Sequence, residues 1–175
     1  MATPDHPVLD ALARRASSRD FTDAPVPPAL LDHVLDAAVR APTAFNFQPY
    51  SLVVVSDPAR RAALARIAGG QRHVAAAPVC VVFCADTRRI ERLCGLPGQL
   101  VPEEHPDAMI TAVIDTSLAG MCATLAAQAL GLRAALPPPG AWTSRAEPRC
   151  WCCGTATGTG SPNCVGPQER RHGRM

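Results

Sequence analysis

The sequence predicts an α+β fold, and three observations carry that expectation. Two short valine-rich runs, residues 50–56 and 79–85, read as buried strands. They are set among segments whose apolar residues recur at helical spacing. One further segment, residues 107–130, is apolar on every side and ends at Gly131. The predicted order is helix, helix, strand, helix, strand, helix and a long central helix.

Each element has a local cause. Residues 8–16 place Val8, Leu9 and Leu12 on one helical face. Pro27 and Pro28 stand where the first turn of a helix tolerates proline, and Leu30, Leu31, Val34, Leu35 and Ala38 then form one apolar stripe. Residues 42–49 read as a loop, and Val53, Val54 and Val55 centre the first strand. Asp57-Pro58 is a cap followed by a first-turn proline, so a helix should start there and run to Gly69-Gly70. The second strand precedes a short helix over 87–93 and a loop over 95–106. The helix 107–130 has apolar residues all round its axis, which predicts burial on most sides. Gly131 suits a left-handed helix stop. A third strand should follow at once in a parallel or mixed sheet. Residues 132–136 can begin it, but Pro137-Pro138-Pro139-Gly140 halts any ladder, because proline has no amide hydrogen to donate.

Composition divides the chain at that point. From residue 137 onward there is no Leu, Ile or Phe, while six Pro, six Gly and four Cys fall within 39 residues. Such a tail buries too little apolar surface to offset its ordering entropy, so residues 1–136 are expected to form the domain and 137–175 a disordered tail. All 17 basic residues are Arg and none is Lys, the mark of a GC-rich coding sequence. A shifted reading frame in such a gene would produce the tail's composition, and the coding DNA read in its other frames tests that origin.

The formal net charge of +2 gives no reason to expect nucleic acid or an anionic membrane as partner. The apolar segment 107–130 has membrane length but contains Asp115 and Gln128, so it is expected to be a buried helix and not a span. The first fourteen residues lack the pattern of an export signal, which predicts a cytoplasmic protein with reduced cysteines. Cys80, Cys84, Cys94 and Cys122 are expected to pack in the core. Cys150, Cys152, Cys153, Cys164 and His172 are enough for a zinc ion, but their spacing fits no common zinc module, so no metal site is expected.

Three polar segments carry candidate chemistry. Arg15, Ser17 and Arg19 put two guanidiniums about a hydroxyl, a set suited to a phosphate monoester. The same residues also suit a solvated helix end. The loop holding Thr43, Asn46 and Gln48 sets a hydroxyl and two carboxamides among prolines, and amides both donate and accept hydrogen bonds. It is equally an ordinary turn by composition. Gly69-Gly70-Gln71-Arg72 permits close approach of backbone to a ligand, or simply joins a helix to a strand.

Their order raises their value. RASSRDFTDAPVP, APTAFNFQPY and GGQRHVAAAPVCVVFCAD resemble, in sequence order, the three flavin-site segments of the FMN-dependent nitroreductase family. The third is most similar to the NADPH-preferring, oxygen-insensitive subgroup with nitroreductase and flavin reductase activity. Asp115-Thr116 and the Ala-rich stretch to Gly131 resemble the family's central dimer helix. The resemblance covers about residues 6–133. It implies a sheet flanked by helices, a homodimer, and FMN at the subunit interface with NAD(P)H as co-substrate. Arg15, Ser17 and Arg19 would hold the phosphate and ribityl end. Thr43, Asn46 and Gln48 would face the ring from the other subunit, and Gln71 would lie near the flavin edge. The implied reaction is ping-pong hydride transfer to a small-molecule acceptor such as a nitroaromatic, quinone or flavin, with no protein acid or base assigned.

The chain departs from the family in two places. Ala16 stands where the family often has Arg. After about Arg133 the family's further strands, helix and basic phosphate contact have no counterpart, so the fold is expected to be incomplete at its C-terminus. The alternative to an enzyme is a truncated, non-catalytic member unable to complete its FMN site.

Overall fold

The computed structural model describes residues 6–95, 105–136 and 150–157. Six α-helices occur among them: α1 (Pro7–Arg14), α2 (Pro28–Ala38), α3 (Pro58–Ile67), α4 (Arg72–Ala76), α5 (Thr87–Cys94) and α6 (Pro106–Ala129). A single 3-10 turn, Ala44–Asn46, interrupts the loop after α2. The strands are β1 (Tyr50–Val55), β2 (Cys80–Ala85), β3 (Leu132–Ala135) and β4 (Cys150–Thr157). Helices and sheet pack together, and the α+β expectation holds.

Helix starts follow the sequence signals closely. Proline opens α1, α2, α3 and α6, where its missing amide hydrogen costs nothing. The Asp57 carboxylate accepts the Arg60 amide at 2.7 Å, the cap anticipated for α3. Gly95 and Gly131, at φ 68° and 78°, take left-handed conformations just past α5 and α6. The sequence reading has no helix at α4, only a stretch open to ligand approach or to a plain helix-to-strand turn. The structure forms one short turn of helix there, closed by Ala77, whose extended backbone is imposed by the following Pro78.

The sheet order is β1-β2-β4-β3, and its neighbours pair antiparallel throughout. The parallel component is a bridge between Ser17 and Ala134 at the outer edge of β3. Tyr50 pairs with Ala85 and Val55 with Cys80, while β4 is inserted between β2 and β3 with Cys80 opposite Gly154 and Leu132 opposite Thr157. Residues 137–175 were expected to be disordered; eight of them, Cys150–Thr157, form β4. Any residue but proline offers the ladder an amide and a carbonyl, so β4 needs no aliphatic run to pair on both sides. The rest of that tail, with Cys164 and His172, lies outside the described residues.

Small residues set the contact between α6 and the sheet. Ala112, Ala119, Gly120, Ala123 and Ala127 are buried along one face, and a side-chain carbon at Gly120 would stand 4.0 Å from the Phe83 ring. Phe83, Val79, Val81, Val34 and Leu132 are the largest apolar side chains sealed in the core. Truncating Phe83 to Ala in such a site costs about 3–5 kcal/mol. The opposite face of α6 is not covered by the described residues: Ile110, Ile114, Leu118 and Met121 are exposed. Burial on most sides was expected, but the described residues of the chain pack on one side only. Among the cysteines, Cys80 is buried, Cys84 and Cys122 are half-buried, and Cys94 is exposed at the end of α5, outside the core assigned to it.

Candidate functional site

The first polar segment leaves α1 as extended chain. Its course is fixed where the Ser18 amide donates to the Ala134 carbonyl at 3.1 Å, next to the Ser17–Ala134 bridge. Arg15, Ser17 and Arg19 are all exposed on this pinned strand-like stretch. Asp10 binds Arg14 and Asp86 approaches Arg92, whereas Arg15 and Arg19 have no acidic partner within ion-pair distance among the described residues. Two unneutralised guanidiniums beside a hydroxyl form a donor set that fits a phosphate monoester.

The structure brings the first and third segments together. Phe21 and His73 approach with ring centroids 6.4 Å apart. Burial holds the His73 imidazole below its ordinary pKa, and the nearby positive charge of Arg19 lowers it further. Its Nε2 is sealed from solvent without a hydrogen-bond partner. Gln71 stands just before α4, and its side-chain amide donates to the Ala68 carbonyl at 2.8 Å. Gly69 and Gly70, at φ 77° and 75°, make the turn between α3 and α4 in conformations that glycine adopts without strain.

The second segment is the loop between α2 and β1. Thr43 and Gln48 are half-buried, Asn46 is exposed, and their hydrogen bonds do not reach the first or third segment among the described residues. The loop contains three non-glycine residues with positive φ: Phe45 at 51°, Asn46 at 56° and Gln48 at 48°. Phe45 is 88 % exposed. The loop is held from below by α6, where the buried Asp115 carboxylate accepts the Ala44 amide at 3.0 Å.

Sequence reasoning noticed Asp115 as a charge in an apolar helix and as part of the stretch resembling the family's central helix, without assigning it a role in the loop. That anomaly was the available signal of a specific task. Tyr50 and His73 carried no comparable signal. The Tyr50 hydroxyl is buried without a hydrogen-bond partner, and burial raises its pKa. The Arg89 charge opposes that rise, while Asp115 and Cys122 add to it.

Comparison with known proteins gives the family. The signature described as "Nitroreductase family" matches residues 12–136. An oxygen-insensitive NADPH nitroreductase from Salmonella typhimurium is 36% identical over 126 residues, spanning 72% of this chain and 51% of that protein. An FMN reductase [NAD(P)H] from Bacillus subtilis is 32% identical over 129 residues, spanning 71% of this chain and 51% of its own length. The solved structure of NADPH:FMN oxidoreductase from Vibrio harveyi shares the fold with a TM-score of 0.77 at 21% identity, over 95% of this chain and 75% of that one. The chain spans about half the length of the curated relatives named here. On the extent of the family match and the order of its elements, the chain belongs to the nitroreductase family.

Proposed function

We propose that this chain is an FMN-dependent NAD(P)H oxidoreductase acting on nitroaromatics, quinones or flavins as a cytoplasmic homodimer. The observation that carries the reading is the pair of unneutralised guanidiniums, Arg15 and Arg19, flanking Ser17 on a segment pinned to β3. When bound, FMN would supply the redox chemistry, a ping-pong hydride transfer between NAD(P)H and the acceptor. The protein's own residues bind and orient. Arg15, Ser17 and Arg19 hold the phosphate and ribityl end. Gln71, with its amide engaged by Ala68, keeps its side-chain oxygen to accept from the flavin edge. Thr43, Asn46 and Gln48 meet the ring's mixed donor and acceptor edge from the neighbouring subunit. Among the described residues no hydrogen bond joins that loop to the other two segments within one chain, in keeping with that division of labour.

The uncovered face of α6 supports the dimer. Ile110, Ile114 and Leu118 recur every four residues and Met121 follows three later, so they form one apolar row. Val8, Leu9 and Leu12 of α1, which packs beside α6, are exposed as well. Apolar surface of this extent suits a second copy better than water.

A second reading is a non-catalytic member of the family that does not complete a flavin site. It is favoured by one observation: the family match ends at residue 136, and the chain spans about half the length of those relatives. The visible spectrum of the purified chain after FMN addition and gel filtration separates the two. A retained flavin band with FMN-dependent NADPH oxidation supports the enzyme. A well-folded, colourless protein whose melting temperature ignores FMN supports the second reading.

A further inference from the structure

We propose that Asp115 is a positioning residue of the flavin loop, and that it acts by accepting the Ala44 amide. This rests on the FMN reading of the loop given above.

The loop's backbone explains why such a restraint is needed. Phe45, Asn46 and Gln48 all have positive φ, a region that costs a residue with a side chain about 1 kcal/mol or more each. The compensating bonds inside the loop are few. Asn46 donates to the Thr43 carbonyl at a long 3.4 Å, Phe47 to Ala44 at 3.0 Å, and Tyr50 to Gln48 at 2.7 Å. Phe45 contributes no burial within this chain, since it is 88 % exposed. Apolar anchors hold the two ends, Ala41 on one side and Pro49 on the other. Between those ends, the Ala44–Asp115 bond is the hydrogen bond that reaches outside the loop among the described residues.

Asp115 is an unusual residue for its place. It is 3 % exposed, midway along α6, on the face otherwise built from Ala, Thr and Gly. Desolvating a carboxylate costs several kcal/mol, so a residue serving packing alone would be apolar. A charged acceptor gives the stronger kind of hydrogen bond, and here it fixes the first residue of the turn that sets Asn46 and Gln48. Without it, the left-handed turn relaxes and those two carboxamides lose their fixed direction. Asp115 touches neither flavin nor substrate in this scheme; its influence passes through Ala44.

The test uses the full chain and three variants. Asp115→Asn keeps an acceptor, and Asp115→Ala removes it. Ala44→Pro removes the donor at the first position of the turn, where proline is tolerated, behind an already extended Thr43. Two quantities are read below the melting temperature of every variant: chymotrypsin cleavage after Phe45 in flavin-free protein, and FMN affinity from flavin fluorescence. Asp115→Asn should stay within about twofold of the parent in both. Asp115→Ala and Ala44→Pro should each be cleaved about tenfold faster and bind FMN about tenfold more weakly, and the double variant should lose no more than either.

Parent-like cleavage in Asp115→Ala overturns the proposal, as does an equal loss in Asp115→Asn. Faster cleavage with unchanged FMN affinity overturns the flavin part of it. If Asp115→Ala does not fold, Ala44→Pro carries the same comparison. If the parent itself binds no FMN, the flavin reading falls, while the cleavage rates still decide whether Asp115 holds the loop.

Discussion

The phenyl ring of Phe21 lies 6.4 Å from the imidazole of His73, joining the chain just after the first polar segment to the short helix that follows Gln71. The contact buries His73 beside Arg19, and both effects hold its pKa below 6.5. A histidine depressed in this way is neutral in the folded state and protonates more readily when unfolded. Its contribution to stability is therefore complete above about pH 6.5 and is lost as pH falls toward the folded value. The urea midpoint of the parent should drop relative to that of His73→Gln between about pH 7 and about pH 5. Parallel curves for the two proteins would show that His73 is not depressed.

Arg19→Ala should weaken FMN binding by about tenfold or more, as expected for loss of charge-assisted bonds to phosphate. Calorimetric titration reads this directly. Arg19→Ala should also let the His73 imidazole titrate closer to its ordinary value, visible in its proton NMR shift. Unchanged affinity would remove Arg19 from the phosphate site.

Tyr50 is the one tyrosine in the sequence, so its ionisation can be followed by absorbance without a competing signal. Burial raises its pKa above 10.0, and the midpoint should fall back to about 10 in denaturant. The sign follows from the raised value: any stability Tyr50 contributes is present below pH 10 and lost as pH climbs. Asp115→Asn removes a negative neighbour and should lower the folded midpoint, although burial keeps it elevated.

Ile114→Arg places a charge in the middle of the uncovered row on α6. Sedimentation velocity should show the parent as a dimer and the variant shifted to monomer, with little change in the chain's own helical signal. A parent that sediments as a monomer would leave that face to another partner.

Arg61 of α3 ties the residue after β1 to the end of α4 through its guanidinium. Nε donates to the Ser56 carbonyl at 3.0 Å, and the same group donates to the carbonyls of Ala75, at 3.3 Å, and Ala77. Arg61→Met should cost about 2–3 kcal/mol of stability, measured by urea unfolding. Arg61→Lys should recover only part of it, because one ammonium group cannot reproduce the spread of a planar fork.

How far all this was readable in the sequence depended on how local each cause is. The cap at Asp57, the valine runs of β1 and β2 and the stop at Gly131 are local, and each appears within two residues of its expected place. The short helix α4 escaped notice because five residues leave no periodicity to detect, and its end is set by Pro78 alone. Strand β4 escaped because its stabilisation lies in backbone bonds to β2 and β3, which composition does not register. Within the site, the residue types of Arg15, Ser17 and Arg19 were legible, but their pinning to Ala134 was not. The bond between Ala44 and Asp115 spans 71 residues, and only the oddity of a charge inside an apolar helix hinted at it.

The position of β4 has a consequence for how the molecule is made. It is the last described strand along the chain, yet it occupies the interior of the sheet, between β2 and β3. While the chain emerges from the ribosome, β1 and β2 can already pair, but β3 has no strand beside it except the Ser17 stretch. Until residue 157 is free, the nascent protein exposes the open ladders of both β2 and β3, which face each other across a strand-wide gap. Closing that gap needs a contact between distant segments, the slow kind of assembly step. Chaperone capture and misassembly should therefore concentrate in that interval of synthesis.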